Sequence, residues 1–229
     1  MSLLEAVLSA ALFCVVFFVT FNLFDLGSYN FHVGLLRHGL QSETRTSWSY
    51  LERDLRQTVL SGMSLDDGAA RNVTVPIQRT SVTVPRQIVS LPSLSNWAPN
   101  TSTFDPDSGL PKWDRYIVYQ ATLDAPDGAF YRFELAPTGG DASAPFVNFA
   151  ALSNVTLAAG PALIGPVSGG SITGRRKLAS GVLNFSVSIT TTVNAYLKLR
   201  GKAHSEASQS EREETFEVNV TIAPNNSIQ

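Results

Sequence analysis

Residues 1–26, MSLLEAVLSAALFCVVFFVTFNLFDL, restrict what this chain can fold into more than any other stretch of it. The unbroken apolar part, residues 6–21, covers roughly 16 residues and reaches about 20 with its ends, close to the length that crosses a bilayer core. A secretory signal peptide would need a basic segment before the apolar run and a small-residue cleavage site after it. No Lys or Arg precedes Arg37, and the sequence Phe-Asn-Leu-Phe-Asp-Leu is a poor cleavage site. The signal-peptide reading fails. A plain single-pass anchor fits the apolar run but leaves Glu5 unexplained. A carboxylate in a spanning helix costs roughly 2.5–3.5 kcal/mol near the bilayer centre and less near an interface, so it calls for a partner. Glu5 lies about one helical turn from the N-terminus, which makes a free α-amino group the natural one. Within one helix that pairing is awkward. A neighbouring subunit shifted along the helix axis presents its amine in reach.

The run Met1-Ser2-Leu3-Leu4-Glu5-Ala6-Val7, followed by a long apolar helix, resembles the mature N-terminus of type IV pilins and type II secretion pseudopilins. The resemblance implies that a basic leader has been removed by a prepilin peptidase. It implies that Met1 is the N-methylated first residue and Glu5 the assembly carboxylate. It accounts together for the missing basic segment, the carboxylate at position 5 and a sequence starting at Met1. It also implies a structural role. The subunit would sit in the inner membrane by its helix and then enter an extracellular filament at the cell surface. Its partners would be copies of itself in a helical homopolymer, other pilins or pseudopilins, the peptidase and the inner-membrane assembly machinery. The chain departs from the common pattern at Asn22, where many members have Pro, and it has no cysteine pair. LERDLRQ and the C-terminal strands resemble the larger minor pilins and pseudopilins more loosely, so rank within a filament stays open. A membrane-anchored binding protein that never polymerises is the alternative from another class.

The remainder reads as an α+β plan: a long N-terminal helix packed against an antiparallel β-sheet head. Three regions follow: 1–26 as the apolar transmembrane or filament-core helix, 27–62 as its amphipathic continuation, and 63–229 as the β-rich head. Leu36, Leu40, Trp48, Leu51, Leu55 and Val59 recur at helical spacing, while Arg37, Glu43, Arg45, Glu52, Arg53, Asp54 and Arg56 fill other positions. Gly62 is a good stop signal. Asn22, Asp25, Gly27 and Gly34 are poor helix formers, so a loosening is expected there, and one continuous helix or two broken at 25–34 both remain open. Beyond Gly62, strands are expected at 73–77, 81–84, 87–91, 115–122, 129–135, 146–152, 181–189, 193–200 and 215–222, with 201–214 as a polar hairpin loop.

Composition and motifs point away from chemistry. The net charge is −2, giving no bulk attraction to nucleic acid, and none is expected as a partner. The single cysteine, Cys14, permits no intramolecular disulfide or cysteine cluster, and the three histidines, His32, His38 and His204, are far apart. His204 beside Glu206 lacks a nucleophile and an orienting group, so no enzymatic head is expected. Gly169–Gly174 with Arg175 and Arg176 has P-loop glycine spacing without the Lys-Ser/Thr pair, and reads as a flexible loop. Arg175, Arg176 and Lys177 read as a solvated basic run. Asp105, Asp107 and Asp114 are candidates for calcium, but they fall short of an EF-hand pattern and resemble ordinary turn chemistry, so no metal or other cofactor is expected. Asn-x-Ser/Thr triplets at Asn72, Asn100, Asn154, Asn184, Asn219 and Asn225 are candidate glycosylation acceptors, none preferred.

Overall fold

Helix α1 runs unbroken from Leu3 to Gln57 in this computed structural model, which describes residues 2–77, 80–98, 103–104, 107, 111, 113–137, 170–205 and 210–224. The expected loosening at 22–34 does not occur. Asn22 donates its amide to the Phe18 carbonyl at 3.0 Å, and Thr20 donates its hydroxyl to the Val16 carbonyl at 2.8 Å. His32 Nδ1 lies 2.8 Å from the Ser28 carbonyl. The polar side chains thus turn back onto their own helix instead of breaking it. An isolated glycine costs about 1 kcal/mol in a helix, too little to split one this long. The helix stops at Gln57, a few residues earlier than Gly62 suggests, and a short 3-10 turn covers Leu60–Gly62.

The fold is α+β. After α1 come β1 (Ser64–Asp66), β2 (Asn72–Ile77), β3 (Thr80–Pro85), β4 (Ile88–Ser93), β5 (Arg115–Ala121), β6 (Gly128–Pro137), β7 (Gly170–Ile189), β8 (Val193–Ser205) and β9 (Ser210–Ile222). Seven strands form one antiparallel sheet in the order β1-β4-β5-β6-β7-β8-β9, and β2 and β3 form a separate hairpin. The expected strand at 146–152 lies outside the described residues.

Two readings of the later chain are corrected. Gly170–Arg176, expected as a flexible loop, is the first part of strand β7 and pairs with β6 from Pro137↔Gly170 to Arg132↔Arg176. Residues 201–214, expected as a polar loop, continue β8 to Ser205 and open β9 at Ser210. Both stretches are too polar to signal strands by apolar content, and only pairing reveals them.

The chain divides into two compact units. In the first, residues 1–40 with 201–214, Val33 and Leu40 are buried and Gly201 lies against Leu36 and Leu40 with no room for a side chain. Arg37 pairs with Glu214 at 2.9 Å, which raises the Arg37 pKa through a hydrogen bond and the adjacent charge.

In the second unit, residues 41–200 with 215–229, the helix buries one stripe: Thr44, Ser47, Leu51, Asp54 and Leu55. Ser47, Trp48 and Leu51 line one narrow gap with Phe130, Ala195, Leu197 and Val218. Ile117, Tyr119 and Ala121 share this face with their partners Glu134, Arg132 and Phe130, as their alternation predicts. Phe130 stacks on Tyr119 at 5.8 Å between centroids and meets Phe185 at 4.6 Å. The opposite face buries Ile88, Tyr116, Val118, Phe133 and Leu135. The β2–β3 hairpin adds Val73, Val75 and Val84 around Leu183.

Three buried arginines stitch this unit together. Arg86, 0% exposed, donates Nε to the Leu183 carbonyl at 3.3 Å and Nη1 to those of Thr122, at 3.0 Å, and Asp124. Its Nη2 donates to the Pro126 carbonyl at 2.9 Å. Arg71 holds the carbonyls of Arg86 and Ala121 at 2.8 and 2.7 Å. Arg200 holds Asp127 Oδ1 at 2.7 Å and the Pro76 carbonyl at 2.6 Å. Burial pushes the pKa of both Arg71 and Arg86 down, although Asp66 supports the first and Asp127 and Asp124 the second. Gly128 is required here, because a Cβ would sit 2.8 Å from Arg86 Nη1. Gly181, at φ +66° in the left-handed region, collides with the Arg200 backbone if given a side chain.

Candidate assembly site

The first part of α1 is long and apolar enough to cross a membrane, and none of its most apolar stretch is buried. Leu3 is 87% exposed and Phe24 74%, with Leu8, Leu12, Phe13, Phe17, Phe18 and Phe21 also exposed. Cys14 is exposed too. Because Thr20 and Asn22 contact carbonyls of their own helix, the outer surface between Leu12 and Phe24 presents apolar side chains on every side. A helix apolar all round belongs in lipid or among other helices.

Glu5 sits where this helix begins. Its Oε2 accepts from the Ser2 backbone N–H at 2.9 Å, and the Ser2 hydroxyl accepts from the Glu5 N–H at 3.3 Å. This is a reciprocal capping box, in which an N-cap serine and an acid three residues on satisfy each other's orphan donors. The sequence Ser-x-x-Glu ahead of an apolar run carries that signal, and sequence reasoning passed over it in favour of the α-amine. The carboxylate is therefore held at the helix start, next to the positive end of the helix dipole. One oxygen is engaged with Ser2. Met1 lies outside the described residues.

The other sequence candidates are scattered. Asp114 accepts from the Ser95 N–H at 2.7 Å and from the Ser95 hydroxyl, and lies 3.7 Å from Arg115. Its carboxylate is thus committed to a loop. Asp107 is exposed and Asp105 lies outside the described residues. Among the described residues no three His, Cys, Asp or Glu side chains gather to hold a metal. Asn72 and Asn219 are exposed on β2 and β9, whereas Asn184 is half-buried with a buried Oδ1 that accepts no hydrogen bond. Asn100, Asn154 and Asn225 lie outside the described residues, as does Glu206, while His204 falls on β8.

The arrangement that sequence reasoning missed is at Asp54. Counted among the residues that fill positions between the apolar ones, it is instead on the buried stripe. It accepts from the Tyr119 hydroxyl and from Arg132 Nε, both at 2.7 Å, and from Arg53 Nε at 3.0 Å. Arg132 also donates Nη1 to Glu134 at 2.5 Å, and Glu134 pairs with Arg115 at 3.0 Å. Burial raises the Tyr119 pKa well above its ordinary value, and the Asp54 charge adds to this. For Arg132 burial opposes the charge, but hydrogen bonds to Asp54 and Glu134 more than offset it and hold the pKa above the usual range. Tyr50 sits alongside with the guanidinium of Arg176 at 4.7 Å and that of Arg53 at 4.9 Å from its ring centre. Asp54 thus ties α1 to Tyr119 of β5 and Arg132 of β6. It docks a helix on a sheet.

Comparison with family models, with characterised proteins and with solved structures gives no match to this chain.

Proposed function

We propose that this chain is a non-catalytic structural subunit of a type IV pilus-like extracellular filament, assembled through its N-terminal helix. The observation that carries the reading is the helix surface at 3–24, exposed and dominated by apolar side chains on every side, with its one carboxylate, Glu5, held at its start. In the inner membrane lipid covers that surface; in a filament the helices of other copies do. The exchange keeps the apolar face out of water at every stage. The Ser2–Glu5 box fixes the carboxylate at the helix terminus, where the methylated Met1 amine of an adjacent copy pairs with its second oxygen. In a low-dielectric core such a pair sets register, because breaking it strands a charge at roughly 3–5 kcal/mol.

The capping box also supports a rival, because it gives Glu5 a use that needs no second copy. A non-polymerising membrane-anchored binding protein would keep the box for helix stability alone. Glu5→Gln separates the two. Gln serves equally at the third helical position of a capping box, but it carries no charge to pair with an amine. The filament reading expects Glu5→Gln to insert in the membrane normally and to be missing from sheared filaments. Wild-type levels of Glu5→Gln in filaments would sink the assembly role. Mass spectrometry of the native N-terminus should show a methylated Met1. Abundance in the sheared fraction then ranks the chain as bulk subunit or as a scarce minor pilin or pseudopilin.

A further inference from the structure

The cross-strand register of the second unit lines up one row of residues across five strands. Asp66 on β1 pairs with Ile88 on β4, Ile88 with Gln120 on β5, Gln120 with Tyr131 on β6, and Tyr131 with Lys177 on β7. Residues directly opposite in antiparallel strands share a face, so the row lies on the face that buries Tyr116, Val118 and Phe133. One end is acidic and the other basic. Asp66 and the exposed Asp67 stand at the end of β1; Asp66 supports the charge of buried Arg71 and accepts from the Gly68 N–H at 3.3 Å, while Asp67 has no ion-pair partner within 4 Å among the described residues. At the far end Lys177 and Arg175 are exposed, also without a carboxylate in ion-pair distance among the described residues, and Arg175 lies 5.8 Å from the Tyr131 ring centre.

Both ends are outer strands of this row. β1 is an edge of the sheet. β7 becomes one locally, because its ladder with β8 begins only at Val182↔Leu199. Four strand spacings of about 4.8 Å set the two ends roughly 19 Å apart. That is about twice the screening length at physiological salt, so they do not neutralise each other. Arg176 points to the other face, where it meets Tyr50.

We propose that the acidic β1 edge of one copy docks against the basic β7 edge of the next. A second copy is the occupant that supplies the complementary charge at the same level of the sheet. The two patches differ, so the contact is head-to-tail, and it repeats without closing on itself unless a ring forms. The inference rests on the filament reading and adds to it a contact between heads.

Charge reversal in the full-length chain tests it. Arg175→Glu with Lys177→Glu, or Asp67→Lys, should each lower the assembled fraction about tenfold or more by facing like charges. Co-expression of the two reversed chains should restore mixed filaments. Asp67→Cys with Lys177→Cys, in a Cys14→Ala background, should give an oxidised ladder of multimers in sheared filaments. That pair decides the matter should a reversal unfold the head, as read from its thermal transition. Filaments that form normally with either edge reversed, and show no cysteine ladder, overturn this contact and leave the filament reading standing. An unaltered chain that never assembles removes both.

Discussion

One helix meets two different surroundings. Residues 3–26 of α1 expose Leu, Val and Phe on every side. Residues 41–57 of the same helix bury a single stripe and turn Arg45, Arg53 and Arg56 to solvent. Among the described residues the first stretch has no packing partner, and the second has its partner in the sheet. Helical periodicity alone does not tell these apart; the breadth of the apolar face does. A narrow stripe says that the chain folds on itself, while a full cylinder says that something else must surround it. The polar content agrees. In 3–26 the side chains of Thr20 and Asn22 are absorbed by their own helix, whereas in 41–57 Asp54 reaches across to Tyr119 and Arg132.

Substitutions on either side of this contrast should act on different observables. The largest loss of head stability is expected from Asp54→Ala, which leaves the Tyr119 hydroxyl without its acceptor and Arg132 with Glu134 alone, and should cost roughly 3–5 kcal/mol, read by denaturant unfolding in detergent. Leu55→Ala, at 1% exposure, should cost about 3 kcal/mol by the same measurement. Val16→Asp should leave that unfolding curve where it is, and instead weaken membrane insertion by about 2.5–3.5 kcal/mol, seen as protein lost from the membrane fraction. A shift of head stability in Val16→Asp would erase the distinction between the two stretches. Ser2→Ala should cost about 1 kcal/mol of helix stability through the lost cap, visible as faster amide exchange in the first turn alone.

The smallest effect concerns pH. Tyr196 is pushed up to about 12, by burial first and then by Glu217, and Tyr119 is raised by burial and Asp54. A tyrosine whose folded pKa exceeds its unfolded one stabilises the fold while it is protonated. That contribution is complete below the unfolded pKa, near 10, and fades as pH climbs through the folded value. Head stability should therefore sag between pH 10 and about 12, and Tyr196→Phe should flatten part of that slope. Tyrosinate absorbance followed alongside unfolding checks the window.

Much of this was legible in the residues themselves. The apolar cylinder, the stripe at Leu40, Leu51 and Leu55, and the alternation in β5 and β6 all come from local periodicity, and the structure places them as read. Three things were not legible, each because its cause is distant in sequence. Asp54 looks like a surface charge until Tyr119 and Arg132 arrive from two strands. The first part of β7 looks like a loop because its glycines and arginines gain their conformation only by pairing with β6. The stretch from Gly201 looks solvated because the apolar side chains that Gly201 meets, Leu36 and Leu40, belong to the helix. The capping box was local and readable, and a more interesting partner for Glu5 obscured it.

The node at Arg86 sets a schedule for the ribosome. Its side chain reaches carbonyls at Thr122, Asp124 and Pro126 and, almost a hundred positions along the chain, at Leu183, while Arg200 closes on Asp127 and Pro76. None of these bonds can form until most of the polypeptide has been synthesised. Contacts of such long separation come late and slow folding. For much of translation, then, the emerging head carries a guanidinium whose acceptors do not yet exist.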